Sequence, residues 1–223
     1  MILVACEHSG AVRDAFISHG FSAFSCDLLP AETPGPHIVG NVLDVLHDPR
    51  WTALIAFPPC TYLSASGLHW NKRDPEREHK TLAAIEFALA LWNAPIPRVA
   101  IENPLGRLSR AIGPPTQIVQ PYQFGSNASK RTCLWLRGLP PIQPFEFVPP
   151  RSKPGADLDL FGLPIGLPRW ENQADSGQNR LGETRDRWRK RSRTYPGIAA
   201  AMVRAWAPTL RDERPLPPGR FPE

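Results

Sequence analysis

The sequence lacks the features that mark disulfide-bonded, metal-binding and membrane-spanning proteins. Its four cysteines are far apart and form no Cys-x-x-Cys pair, and its six histidines have no metal-ligand spacing. No apolar run reaches the length of a membrane span, and no signal-peptide pattern is present at the start. We therefore expect a cytoplasmic protein with reduced thiols, no metal and no membrane partner.

The size, charge and proline content of the chain indicate its domain number, the charge of its partner and where it is irregular. A chain of 223 residues with 42% hydrophobic content is enough for one domain with a substantial core. The net charge of +5 favours a polyanionic partner, although many proteins are equally basic without one. Many of the 27 prolines fall in the last third, which predicts long irregular stretches there.

Short apolar runs that do not alternate with polar residues predict strands buried on both faces. They are separated by helical patterns, so we expect an α/β fold in which helices cover both faces of a mostly parallel sheet. The predicted strands are 2–5, 21–26, 37–40, 53–57, 98–101, 117–120 and 132–136; the predicted helices are 11–19, one with Leu82, Ile85, Leu89 and Trp92 on its buried face, and 196–206.

The same patterns divide the chain into four parts. Residues 1–137 are predicted to form the core, and 138–189, with repeated Pro-Pro pairs, a loop-rich insertion. Residues 190–207 contain a helix that returns to the core. Residues 208–223, rich in proline and charge, are predicted to be a disordered tail.

Two of the predicted strands end in chemically reactive residues. The run 53–57 leads directly into Pro58-Pro59-Cys60, and the run 98–101 leads into Glu102. Proline cannot continue a central strand, so Cys60 is expected at a strand's carboxyl end, where open α/β sheets bind ligands. A thiol and a carboxyl group together suit addition to an electron-poor ring: the thiolate forms a covalent adduct, and the acid donates to a ring nitrogen.

Taken singly, each residue also has an ordinary structural interpretation. A cysteine after prolines is more often a buried inert thiol. Glu102 would also serve as the N-cap of a helix beginning near Pro104. The functional interpretation is favoured because both residues end successive predicted strands.

Three segments carry a family resemblance. Residues 57–64, Phe-Pro-Pro-Cys-Thr-Tyr-Leu-Ser, resemble the catalytic Pro-Cys motif of DNA cytosine-5 methyltransferases, and Ile-Glu-Asn-Pro at 101–104 resembles their Glu-Asn-Val motif. Residues 129–136 are similar to the family's Gln-x-Arg-x-Arg strand, reduced here to Lys130 and Arg131. The order of motifs is preserved over 1–137 and 190–207.

The resemblance implies a Rossmann-like, class I S-adenosylmethionine-dependent methyltransferase. Cys60 would attack C6 of a flipped cytosine in DNA, Glu102 would contact N3 and the exocyclic amine, and Lys130 or Arg131 would hold the base or its phosphate. Further substrate contacts are expected from Pro58, Ser64, Asn103, Arg189 and Arg191. Residues expected to bind S-adenosylmethionine are Ala5, Glu7, Ser9, Gly10, Asp27, Leu28, Asn41, Val42 and Pro59.

The chain departs from the family pattern in informative places. The turn Glu7-His8-Ser9-Gly10 lacks the usual glycines, and Asn41 stands where the family has Asp, with Asp44 as an alternative. The insertion is far shorter than a usual target-recognition domain, which predicts low specificity, a very short site, or a protein partner that supplies specificity. Compact chains of this kind resemble those of phages and prophages, so a bacterial or phage-infected cell is the expected setting.

Several segments keep two interpretations. Residues 61–80 are either a loop that closes over the substrate or an ordinary connector. The basic run around Trp188 either contacts phosphates with Trp188 on a base, or is a solvated face with Trp188 in the core, and Arg169-Trp170 has the same alternatives.

Other functions also stay open. The same chemistry would serve on RNA, on a free cytosine nucleotide, or with another carbon unit added at C5. A nucleic-acid-binding subunit without strong catalysis is the third hypothesis. A Cys-His hydrolase is disfavoured because no histidine lies in a general-base motif.

Overall fold

The computed structural model describes residues 1–71, 73–151, 168–174, 176, 179–180 and 192–211. Within them, seven strands form one sheet in the order β3-β2-β1-β4-β5-β7-β6. The strands are β1 (Ile2–Ala5), β2 (Ala23–Asp27), β3 (His37–Val39), β4 (Ala53–Ala56), β5 (Arg98–Asn103), β6 (Gln117–Val119) and β7 (Thr132–Arg137).

Helices pack on both faces of this sheet, as predicted. They are α1 (Ala11–Ile17), α2 (Pro75–Trp92), α3 (Leu108–Ala111) and α4 (Pro196–Arg211). Successive residues of a strand point to opposite faces, so Ile2 and Val4 join the core beneath α1 and α4, whereas Leu3 and Ala5 join the core beneath α2. Two apolar layers therefore enclose the central strands.

Strand direction decides which residues meet at one edge of the sheet. β1 is parallel to β2 and β4, and β4 is parallel to β5, with Ala56 opposite Ile101. β7 runs antiparallel to β5, which places Cys133 opposite Asn103. The start of β7 therefore lies at the edge where β4 and β5 end, and the mostly parallel sheet is confirmed with one reversed strand.

The predicted apolar face of α2 is only partly right, because Ile85 and Trp92 of that face pack against the core as partly buried side chains. Thr81, Ala88 and Leu91 are buried, whereas Leu82 is 49% exposed. Apolar residues occupy more than one side of this helix, so periodicity alone could not choose the side that packs on the sheet.

The last helix is longer than predicted. It runs through Pro208 to Arg211, so residues 208–211 of the expected tail are helical, and 212–223 lie outside the described residues. Leu210 packs against the core, and Arg211 donates to the His19 carbonyl at 3.1 Å. These contacts compensate for the hydrogen bond that Pro208 cannot donate.

The described parts of the insertion pack on the core. Leu139 and Ile142 are core residues, and the Trp206 indole donates to the Pro140 carbonyl at 2.8 Å. Across the described ranges, none of the helices combines the length and the hydropathy that a membrane span requires. The same ranges contain no cluster of three or more side chains suited to metal coordination.

Candidate active site

The loop after β4 presents Cys60 to solvent. Pro58 is buried, whereas Pro59 and Cys60 are exposed. The Cys60 carbonyl accepts hydrogen bonds from the amides of Leu63 (3.1 Å) and Ser64 (2.9 Å), so the chain turns immediately after the thiol. The two prolines end the strand, and the turn holds the thiol at the sheet edge.

This loop is bonded to the loop after β5. The Asn103 amide nitrogen donates to the Pro58 carbonyl at 2.7 Å, and Asn103 is only 1% exposed. The Asn103 side chain thus holds the ends of β4 and β5 together, and the expectation that Asn103 contacts substrate stays a prediction.

Main-chain contacts reinforce the connection. The Ala65 amide donates to the Leu105 carbonyl at 3.0 Å, and the Arg107 amide donates to the Leu63 carbonyl at 2.8 Å. A Cβ atom at Gly106 would overlap the Leu63 carbonyl oxygen, so only glycine allows this close approach. The positions of Cys60 and Glu102 are thus linked through their loops.

Glu102 lies beside the start of β7. Its side chain is 15% exposed, and its Oε1 lies 3.8 Å from Nζ of Lys130. Arg131 is exposed, and no ion pair with Glu102 is found for it among the described residues. Of the two basic residues predicted for the site, Lys130 is the one that faces the carboxylate.

The other three cysteines have thiols whose pKa is raised by desolvation. Desolvation, followed by the charge of Asp27, raises the pKa of Cys6 to about 12 and that of Cys26 to about 11. Desolvation also raises the pKa of Cys133, and the nearby Glu102 carboxylate adds to this. These thiols stay protonated near neutral pH, which leaves Cys60 as the exposed thiol of the four.

The turn between β1 and α1, residues 6–10, uses a carboxylate where glycines were expected. Glu7 is 4% exposed and accepts hydrogen bonds from the Val12 amide (2.7 Å) and the Arg13 amide (3.2 Å) at the start of α1. Desolvation raises the pKa of Glu7, and these two hydrogen bonds oppose the shift. Glu7 thus satisfies the helix N-terminus, and the expectation that it contacts the cofactor stays a prediction.

Sequence reasoning missed Arg13, which is fully buried beneath this turn. Its guanidinium donates to Ser25 Oγ (3.1 Å), to Thr33 Oγ1 (2.8 Å) and to Asp14 Oδ1 (2.7 Å). These bonds fasten the loop between β2 and β3 onto the turn. Because arginine is usually exposed, no sequence signal distinguished it.

The remaining residues predicted for the cofactor line the ends of β1 to β3. Asp27 Oδ1 accepts the Leu29 amide at 3.0 Å, and Leu28 is 75% exposed beside it. Asn41 is exposed, and its side chain accepts the Leu43 amide at 3.1 Å. Ala5, Ser9 and Val42 are buried, and Gly10 has a φ of 77°. Their roles in binding a cofactor stay predictions.

The segment 61–80 is less loop-like than expected. Helix α2 begins at Pro75, and Asp74 caps it by accepting the Glu76 and Arg77 amides. The Asp-Pro-Glu sequence was a readable start signal for this helix. The guanidinium of Arg77 also donates to the Thr61 carbonyl at 3.1 Å, which ties the segment to the helix.

Most of the basic run lies outside the described residues. Arg189, Arg191 and Trp188 lie outside the described residues. Trp170 is 6% exposed and stacks on Tyr122 with ring centroids 4.0 Å apart. Trp170 is therefore a core residue and is not available to stack on a base.

Comparisons with known proteins bear on the fold. No family model matches the chain, and no curated protein matches it in sequence. A methyltransferase of Entamoeba histolytica superposes with a TM-score of 0.54 at 10% identity, over 95% of this chain and 98% of that one. The fold is that of a Rossmann-like methyltransferase.

A second solved structure is more distant. It is an E. coli protein encoded within a prophage and assigned as a DNA modification methyltransferase. The similarity has a TM-score of 0.43 at 12% identity and covers 67% of this chain and 52% of that one. The present chain therefore spans about half of the length of that relative.

Proposed function

We propose that this chain transfers a methyl group from S-adenosylmethionine to C5 of cytosine in DNA, with low or short sequence specificity. The observation that carries the proposal is the pairing of an exposed Cys60 with Glu102 at adjacent strand ends that are hydrogen-bonded through Asn103 and Pro58. Glu102 is further paired with Lys130. The nucleophile, the carboxyl group and the cation all come from segments at the edge of the sheet where open α/β folds bind ligands, which supports the proposal.

These groups suit a defined sequence of bond changes. The Cys60 sulfur adds to C6 of the cytosine ring, while Glu102 binds N3 and the exocyclic amine, where electron density accumulates. C5 would then act as the nucleophile toward the methyl group that bound S-adenosylmethionine would supply, with the neutral thioether as the leaving group. Transfer of the C5 proton to water would form the C5–C6 double bond again and expel the Cys60 sulfur as a thiolate.

The Lys130 ammonium supports this sequence. At 3.8 Å from Glu102 Oε1, it orients the carboxyl group toward the base edge and adds positive charge beside the developing anion. Its side chain is 36% exposed, so it is also accessible to a phosphate of the substrate.

The turn after β1 fits S-adenosylmethionine better than a dinucleotide. Dinucleotide-binding folds place a pyrophosphate at the N-terminus of the first helix, but here the Glu7 carboxylate already accepts those amides. A second anion at this position would be repelled by the Glu7 carboxylate and would find the Val12 and Arg13 amides already occupied. S-adenosylmethionine carries no phosphate, and it supplies an electrophilic methyl group on a sulfonium.

Asp27, Leu28 and Asn41 would hold the nucleoside part of the cofactor. The Asp27 carboxylate would accept from ribose hydroxyls, and the exposed Leu28 side chain would cover a face of the adenine ring. Asn41 would hydrogen-bond the adenine edge as a neutral group, in exchange for its bond to the Leu43 amide.

The substrate class is tested by product analysis. The chain is incubated with methyl-labelled S-adenosylmethionine and DNA, RNA or dCMP, and the products are digested to nucleosides. We expect label in 5-methyl-2′-deoxycytidine from DNA only. Label in RNA or dCMP would show that the same reaction takes place on that substrate rather than on DNA. Absence of label, together with no calorimetric heat at millimolar S-adenosylmethionine, would favour the nucleic-acid-binding subunit.

A further inference from the structure

A short piece of the insertion grips the chain next to Lys130. The Asn172 carboxamide accepts the Ser129 amide at 2.9 Å and donates to the Ser129 carbonyl at 2.9 Å. Both main-chain groups of one residue are therefore satisfied by one side chain that is 43 positions away. Such a two-bond contact fixes the orientation of a peptide as well as its position.

Asn172 is itself held in place by a buried aromatic anchor. Trp170 stacks on Tyr122, and its indole donates to the Val148 carbonyl at 2.9 Å. The Asn172 carbonyl accepts the Arg180 amide at 2.8 Å. The Asn172 side chain therefore projects from a segment that packs on the core, so it can act as a fixed support.

The residue that Asn172 holds precedes Lys130 directly. On the other side of Lys130, the Thr132 hydroxyl donates to the Lys130 carbonyl at 3.1 Å, and β7 begins. The peptide that carries Lys130 is thus fastened at both ends, and its Nζ lies 3.8 Å from Glu102 Oε1. The two hydrogen bonds from Asn172 hold the peptide on the N-terminal side of Lys130, which is not paired with a strand.

We propose that Asn172 is a positioning residue that holds Lys130 against Glu102, so that the insertion sets the geometry of the catalytic pair. This inference rests on the proposed function for its catalytic consequence. Asn172 does not touch the reacting base, and it acts through Ser129 and Lys130. The insertion has a role in the reaction that is separate from any recognition of sequence.

The test compares Asn172→Ala with a control that removes a neighbouring hydrogen bond between the same two segments. Asn127→Ala is matched, because Asn127 accepts the Glu171 amide at 3.2 Å and makes no bond to Ser129. We expect Asn172→Ala to lower kcat about 10- to 100-fold with DNA affinity within twofold, since small displacements of catalytic groups have effects of this size. The control should change kcat less than about threefold.

A double-mutant cycle separates positioning from general damage. When Lys130 is already changed to Met, Asn172→Ala should add less than about threefold, because the group that it positions is gone. Additive losses would overturn the inference. If Asn172→Ala does not fold, Asn172→Asp, which keeps the acceptor for the Ser129 amide, takes its place in the cycle.

A measurement that does not need activity completes the test. Hydrogen exchange of the Ser129 amide should be slow in the native protein and faster in Asn172→Ala, with the β7 amides unchanged. If exchange at Ser129 is unchanged in Asn172→Ala, Asn172 does not hold the Ser129 amide. If exchange is faster but turnover is the same as in the native protein, Asn172 does not position Lys130 for catalysis. An inactive native protein would instead reject the proposed function, while exchange would still decide whether Asn172 holds Ser129.

Discussion

The ends of β4 and β5 and the turn after β1 are built in opposite ways. At the first, the exposed Cys60 and the partly exposed Glu102 follow strand ends whose loops are joined by the close approach of Gly106 to Leu63 and by the bond from Asn103 to the Pro58 carbonyl. At the second, buried charged side chains hold the main chain, with Glu7 on the amides of α1 and Arg13 on the following loop.

The residues expected to react are therefore different from the residues that hold the backbone in place. A side chain that contacts substrate cannot at the same time make the hydrogen bonds that hold the fold. Around Cys60, those structural contacts are therefore made mainly by the backbone. Around the β1–α1 turn, Glu7 and Arg13 make the structural contacts themselves, and stability depends on their hydrogen bonds. Changes at the two places should therefore have different effects on activity and on stability.

Cys60→Ser should give the largest effect on activity and almost none on stability. We expect methyl transfer to fall by about 10⁴-fold or more, since the weaker nucleophile cannot form the adduct. Thermal unfolding should be unchanged because Cys60 is exposed. Iodoacetamide should modify one thiol in the native protein and none in the variant; methylation at the native rate would contradict the mechanism.

Glu102→Gln should have the second largest effect. The amide cannot donate a proton to N3, and the loss expected for a general acid is about 10²- to 10⁴-fold in kcat. Single-turnover methylation at saturating DNA measures it. Glu86→Gln, on an exposed part of α2, is the control and should retain full activity; equal rates for both variants would remove Glu102 from the reaction.

Gly106→Ala tests whether close backbone approach holds the two loops. The added Cβ would overlap the Leu63 carbonyl, so we expect a loss of about 1–3 kcal/mol in the free energy of unfolding. Gly40→Ala is the matched control, because a Cβ there meets no atom within 4 Å. Urea unfolding should distinguish the two, and equal stability would mean that the loops can separate freely.

Glu7→Gln should have the smallest effect, mainly on stability. One amide acceptor is lost, which costs about 1 kcal/mol. The pKa of native Glu7 is raised above its ordinary value of 4.5, so its contribution to stability is present below that pH and is lost as the pH rises through the raised value. The difference in free energy of unfolding between native protein and variant, measured with urea, should therefore become smaller as the pH rises. A difference that grows with pH would contradict the burial of this carboxyl group.

Much of the fold could be read from the sequence because the strands are continuous apolar runs. All seven runs correspond to strands of the sheet, and their ends agree within two residues. The side of α2 that packs, and the extension of α4 past Pro208, could not be read. Both depend on which neighbours the helix meets, and local periodicity does not contain that information.

The candidate site was only partly predictable for the same reason. The pattern around Cys60 and Glu102 indicated two strand ends, but it did not show that Asn103 and Glu7 hydrogen-bond the main chain, and it missed Arg13 and Asn172. Three of these residues act through partners distant in the chain: Asn103 through Pro58, Arg13 through Thr33 and Asn172 through Ser129. A polar residue in a sequence does not show whether it will face solvent or a buried amide.

The sequence by itself determined the alternation of strands and helices and placed a thiol and a carboxyl group after two of the strands, because apolar periodicity and proline act locally. The tertiary structure decided that β7 runs backwards beside β5, and so that Lys130 reaches Glu102. It also decided which polar side chains support the backbone. Those outcomes depend on contacts between distant segments, which form only when the whole core is packed.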